Sequence, residues 1–164
     1  MATPKSAGHS AAQAPKPVKT EAVPSPPTAG QPLTPDHPNA VRIRAATEAG
    51  GRGDLSKMPG VKSPDIVVHS SGTSPIGPGA HNRDELDAQD REMFAKAGGT
   101  LRAEPYYVLG NDEQVIVVQH ATGQRLGRTL NAVLLQVWKM QDGVCHEAWN
   151  YFNDLPAWDA FWAD

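Results

Sequence analysis

The sequence predicts an α+β fold, a cone-shaped curved antiparallel sheet with helices packed on its concave face. Three observations carry that expectation. Helix-forming segments come first, ahead of a single strand. Four consecutive strand patterns then fill the C-terminal half. Glycine pairs, prolines and Asn/Asp clusters punctuate the boundaries. Helices segregated to one face of such a sheet leave a cavity between the two layers.

The fold is expected over residues 36–164. Of the 15 prolines in the 164-residue chain, nine lie before Asn39, and no aromatic residue precedes Phe94. Residues 1–35 are mostly Ala, Pro, Ser, Thr and Lys. Such a segment cannot bury enough apolar surface to offset its ordering entropy, so a disordered Pro/Ala-rich tail is expected there.

Asp36 or Asn39 can cap a first helix with Pro38 near its first turn, and the helix runs over Ala40 to Ala49. Gly50, Gly51 and Gly53 end it, and Asp54 to Met58 can form a second short helix before Pro59. Asp65 to His69 is rich in β-branched residues and reads as the first strand. Ser70 to Ala80 holds three glycines and two prolines and reads as a loop. Asn82 or Asp84 starts the next helix, whose Leu86, Met93 and Phe94 form a core stripe, and Gly98-Gly99 stops it.

A meander follows. Leu101 to Leu109 is a strand in which Pro105 marks an edge or a bulge. Gln114 to Thr122 is strongly apolar. Gly123 to Gly127 connects it to a long strand, Arg128 to Met140. Asp142-Gly143 is a hairpin signal, and Val144 to Phe152 is the last strand. Asp154 and Pro156 open a terminal helix that stacks Trp158, Phe161 and Trp162 at i, i+3 and i+4.

The formal net charge is −3. Residues 1–38 carry +1 (three lysines against Glu21 and Asp36), so the remainder carries −4. A domain of that sign is a poor partner for nucleic acid or anionic lipid. Cys145 is the only cysteine, so no internal disulfide forms. There is no run of about 18 apolar residues and no apolar signal core near the N-terminus. A cytoplasmic protein without membrane contact is expected. The six histidines show no metal-ligand spacing, and no metal or cofactor is expected.

Gly53-Asp54-Leu55, followed by Asp65 before a strand ending in His69, resembles the opening of a known superfamily. Arg128-Thr-Leu-Asn131, Val137-Trp-Lys-Met140, Asp142-Gly143 and Ala148-Trp-Asn-Tyr-Phe152 resemble its closing strands. The domain is thereby identified as similar to SnoaL-like and ketosteroid-isomerase-like members of the nuclear-transport-factor-2-like superfamily. The resemblance implies a pocket in the mouth of the cone and a homodimer formed through the sheet. It also implies proton-transfer chemistry (isomerisation, cyclisation or dehydration) on a small apolar, polyketide- or terpenoid-like molecule, or a non-catalytic ligand-binding or assembly role.

The family's acids are replaced here. In ketosteroid isomerase a carboxylate base works with an oxyanion hole of a tyrosine and a protonated aspartic acid. Those three roles fall at Ser70, Ala46 and Gln136, and none of the residues is kept. The acid/base aspartate of the cyclases falls at Asn150, an amide that hydrogen-bonds but does not exchange a proton at neutral pH.

Histidines are the natural replacements near neutral pH. Strand alternation puts His146, Asn150 and Phe152 on one face of the last strand. The expected catalytic set is therefore His69, His146 and Asn150. The expected substrate-binding set is Gln136, Trp138, His120, Phe152 and Tyr106. A cavity of about 300 Å³ or more with converging polar groups favours ligand chemistry. One plugged by Trp138 and Phe152 favours assembly.

Overall fold

A computed structural model describes residues 30–74, 79–80 and 82–164. The tail expected over residues 1–35 falls, up to residue 29, outside the described residues. Ahead of Asp36, Thr34 already pairs with Gly110 through two backbone hydrogen bonds of 2.9 Å. Gln31 O accepts from Asn111 Nδ2 at 2.8 Å.

Helix α1 spans Pro38–Gly50. Its cap is His37, rather than Asp36 or Asn39: the His37 ring accepts from Asn39 N at 3.2 Å. Asn39 instead spends its amide on Asn111 O. Asp54 caps a 3-10 turn over Leu55–Gly60 by accepting from Ser56 N. Strand β1 spans Lys62–Ser70, three residues earlier at its start than its β-branched core implies. The expected loop contains a two-residue strand, β2 (Gly79–Ala80), that pairs back on Val68 and His69. Helix α2 spans Arg83–Lys96, capped by Asn82.

The meander is β3 (Arg102–Gly110), β4 (Gln114–Arg125), β5 (Arg128–Gln141) and β6 (Val144–Phe152), closed by α3 (Leu155–Trp162). The β4–β5 hairpin is tighter than expected. Pairing continues to Arg125 opposite Arg128, and only Leu126 and Gly127 turn, both at positive φ. Arg125 extends that ladder because its guanidinium holds the carbonyls of Phe161 and Ala163. Pro105 sits on an edge strand and at a register shift, where its missing N–H costs least.

The six strands run β2-β1-β6-β5-β4-β3. The sheet is mixed, because β1 lies parallel to β6 while every other pair is antiparallel. The end of β1 is pinned to α3, where the Asp159 carboxylate accepts from Thr73 N, Thr73 Oγ1 and Ser74 N at 2.8–3.1 Å.

Two apolar clusters fill the space between helices and sheet. One gathers α1 residues such as Ile43 around Ile66, Val108, Val117 and Trp138. The other packs Trp158, Phe161 and Trp162 of α3 against Leu101, Ala121 and Leu130. The C-terminal end of α1 meets β3 so closely that Ala103 N donates to Gly51 O at 2.9 Å. A Cβ at Gly51 would lie 1.7 Å from Ala103 O. Gly51→Ala is therefore expected to cost about 2 to 3 kcal/mol by forcing α1 off the sheet, read as a lower urea midpoint.

Candidate active site

Between the two apolar clusters lies a cavity of about 160 Å³, walled by α1, the 3-10 turn and α2 on one side and the sheet on the other. Most of its wall is apolar, with Met58, Ile66, Val68, Met93 and Phe94 among the contributors. Trp138 and Phe152 line it without closing it. Its volume is below the 300 Å³ mark, and close to the roughly 150 Å³ of a cavity that holds benzene.

One polar row crosses the sheet side. Gln119 Nε2 donates to Gln136 Oε1 at 3.2 Å. Gln136 Nε2 donates to Asn150 Oδ1 at 2.9 Å. Asn150 Nδ2 donates to Ser70 Oγ at 2.8 Å. Each residue comes from a different strand (β4, β5, β6 and β1), and all four line the cavity. Direct register explains two of the steps, since Asn150 stands opposite both Gln136 and Ser70. Ser70 accepts in this row, and its own hydroxyl hydrogen has no acceptor among the described residues. The three positions that carry acids in the resembled enzymes thus form one neutral chain here, extended by Gln119.

The charge lies where α2 meets the start of β1. Lys62 Nζ lies 3.0 Å from Asp87 Oδ1 and 3.0 Å from Asp90 Oδ2. The lysine side chain is 2% exposed. Lys62 and Asp90 both line the cavity, and they are its only ionisable side chains among the described residues. Burial raises the Asp90 pKa, Lys62 opposes that shift, and the Asp87 charge adds to it. No local sequence signal marks this pair. Cys145 sits beside it but is inert, because burial pushes its thiol up to about 12.

Of the expected site residues, Asn150, Gln136, Trp138 and Phe152 come together around the cavity, and His69, His146, His120 and Tyr106 do not. Alternation along β1 turns Ser70 inward, so His69 faces the outer side of the sheet. There its Nε2 lies 2.9 Å from Glu147 Oε1, and its ring stacks on Trp149 at 5.3 Å. His146 is displaced by a register shift: Met140 pairs with Cys145 while Lys139 pairs with Glu147, leaving His146 outside the ladder. Cys145 takes the inward position, and His146 Nδ1 lies 3.8 Å from Asp65.

On β4 it is Gln119 and Ala121 that point inward, and His120 bonds Asn131 at 2.6 Å. Tyr106 is skipped by the β3 register shift, so neither Tyr106 nor Tyr107 enters the cavity; they are 48% and 61% exposed. The buried indole N–H of Trp138 has no partner among the described residues.

No protein-family model and no curated protein matches the sequence. Solved structures do. Bal32a, from a soil-derived mobile gene cassette, superposes with a TM-score of 0.72 at 28% identity, over 76% of this chain and 96% of that one. A protein of unknown function with a cystatin-like fold from Xanthomonas campestris gives 0.70 at 20% identity, over 77% and 98%. A candidate SnoaL-like polyketide cyclase from Jannaschia sp. CCS1 gives 0.62 at 16% identity, over 82% and 99%. The chain has the cystatin-like α+β fold shared by nuclear-transport-factor-2-like and SnoaL-like proteins. Among the described residues, no helix is long and apolar enough to cross a membrane.

Removing one partner of a buried ion pair leaves an uncompensated charge. Lys62→Met is expected to cost about 3 to 5 kcal/mol at neutral pH. The pH dependence of Asp90 has the opposite sign to that of an ordinary salt-bridged aspartate. A carboxyl whose folded pKa is raised binds more protons folded than unfolded, so its contribution falls as pH rises from the ordinary value toward the raised one. Asp90→Asn does not ionise. Its stability relative to the wild type should therefore increase from pH 4 to pH 7 in urea melts.

Proposed function

We propose that this chain binds a small, mainly apolar molecule in the cavity and moves a proton within it, without a cofactor. The reaction class is isomerisation, cyclisation or dehydration. The observation that carries this reading is the row Gln119–Gln136–Asn150–Ser70. It is a preorganised set of dipoles, inside an apolar wall, that ends in a free hydroxyl hydrogen. Such a row holds a carbonyl or enolate oxygen at a fixed point without reorganising. The resemblance to SnoaL-like proteins supports a polyketide- or terpenoid-like substrate. The volume limits the part that enters the cavity to about one ring.

A second reading has its own support. Amides and a serine hydroxyl do not titrate near neutrality, so the row alone makes a ligand-binding site without catalysis. In either case we propose self-association through the outer face of the sheet, where Tyr107 and Tyr151 are exposed. Sedimentation equilibrium should then give twice the chain mass, and Tyr151→Glu should shift it toward the monomer.

Titration by saturation-transfer NMR against one-ring ketones and phenols tests the pocket. Asn150→Leu breaks the row at its centre and strands its neighbours, at about 1.4 kcal/mol. Affinity should fall about tenfold. His69→Ala and His146→Ala should leave it unchanged. No binding by any member of the panel, or equal affinity in Asn150→Leu, would overturn the reading.

A further inference from the structure

We propose that Asp90 exchanges a proton with the bound molecule and that Lys62 is the positioning residue that holds it. The substrate class is a ring-sized ketone with a removable hydrogen next to its carbonyl. This inference rests on the proposed ligand-binding pocket and adds the identity of its proton carrier.

Apart from Lys62, whose ammonium is already held by two carboxylates, the sheet wall of the cavity offers only neutral groups, and none of them takes up a proton near neutrality. The helix wall offers Asp90, one of whose oxygens is committed. Oδ2 lies 3.0 Å from Lys62 Nζ, while Oδ1 has no partner among the described residues. A carboxylate anchored through one oxygen and free at the other has the geometry of a general base. Lys62 is itself fixed twice, by Asp87 and by Asp90, so it acts as a strut rather than as a mobile donor.

The charged groups around Asp90 are Lys62 from β1, and Asp87 and Arg91 from its own helix. Burial outweighs Lys62 there, so the carboxyl titrates above its ordinary value and is a better base than a solvated aspartate.

The two walls divide the work. The carbonyl oxygen is received by the sheet row, with Ser70 O–H as the donor. The adjacent carbon faces α2. Asp90 Oδ1 takes a hydrogen from that carbon as a proton, and the C–H pair becomes a carbon–carbon double bond. The carbonyl π pair moves to the oxygen, giving an enolate. Asp90 then returns the proton, to the same carbon or to a conjugated one. In the second case a double bond has migrated. No oxidant, reductant or second substrate is consumed.

The test uses the full chain and cyclohexanone in D2O, with exchange of the hydrogens next to the carbonyl followed by NMR. Binding is read separately by saturation transfer. The wild type should speed exchange over buffer, with a rate that rises with pH through a midpoint above 3.8, the ordinary aspartate value. Asp90→Asn should keep cyclohexanone binding and lose at least tenfold of the exchange rate.

Lys62→Gln removes the charge that favours the ionised carboxylate, so the midpoint should move upward, a change a purely structural lysine would not produce. Binding without any exchange in the wild type, unchanged exchange in Asp90→Asn, or a wild-type rate with no step in pH overturns the proposal and leaves the binding site intact. If cyclohexanone does not bind at all, this inference fails for its stated substrate class, while the pocket reading stands or falls on the wider panel.

Discussion

The parallel pairing of β1 with β6 is the constraint on which the rest of the structure depends. Strands β3 to β6 are joined by short turns and can find their neighbours locally. β1 must instead reach across the whole meander to lie beside the last strand. That single long-range contact sets Ser70 opposite Asn150 and Lys62 opposite Cys145. One end of β1 therefore completes the neutral row, and the other delivers a buried ammonium to α2. Both polar features of the cavity are consequences of one strand being docked in one register.

Much of the architecture is legible in the sequence because it is written in local signals. Asn82, Asp54 and Asp154 cap the helical segments that follow them. Asp142-Gly143 turns a hairpin, and Trp158, Phe161 and Trp162 are buried at helical spacing. The parallel sense of β1 is not local. His37 caps through the nearby Asn39 N, but the other nitrogen of its ring is held by Asp112, 75 residues on. The inward positions of Gln136, Asn150, Trp138 and Phe152 follow from alternation, which holds over those stretches.

Alternation fails where the ladder shifts. One unpaired residue moves every later side chain to the other face. His146 and Tyr106 both sit at such shifts. Histidine is the natural proton carrier near neutrality, yet at His69 and His120 it is the neighbours Ser70 and Gln119 that hold the inward positions. The Lys62–Asp90 pair was hidden for a different reason. Asp87 and Asp90 read as the solvated face of a polar helix, and Lys62 precedes the β-branched stretch that announces the strand. Only the packing of α2 on β1 brings them together.

The amide row has a direction, running from Gln119 as first donor to Ser70 as last acceptor. That direction is reversible. A primary amide presents a donor and an acceptor at nearly equal reach, so a concerted half-turn of all three amides keeps every link and makes Ser70 the first donor. In one sense Ser70 has a hydrogen to offer the ligand, and in the other a lone pair. A ketone oxygen asks for the first and the hydroxyl of its enol for the second. Four uncharged side chains can thus serve both tautomers of one molecule with the same contacts. The cavity does not need to favour either side of such an equilibrium in order to hold it.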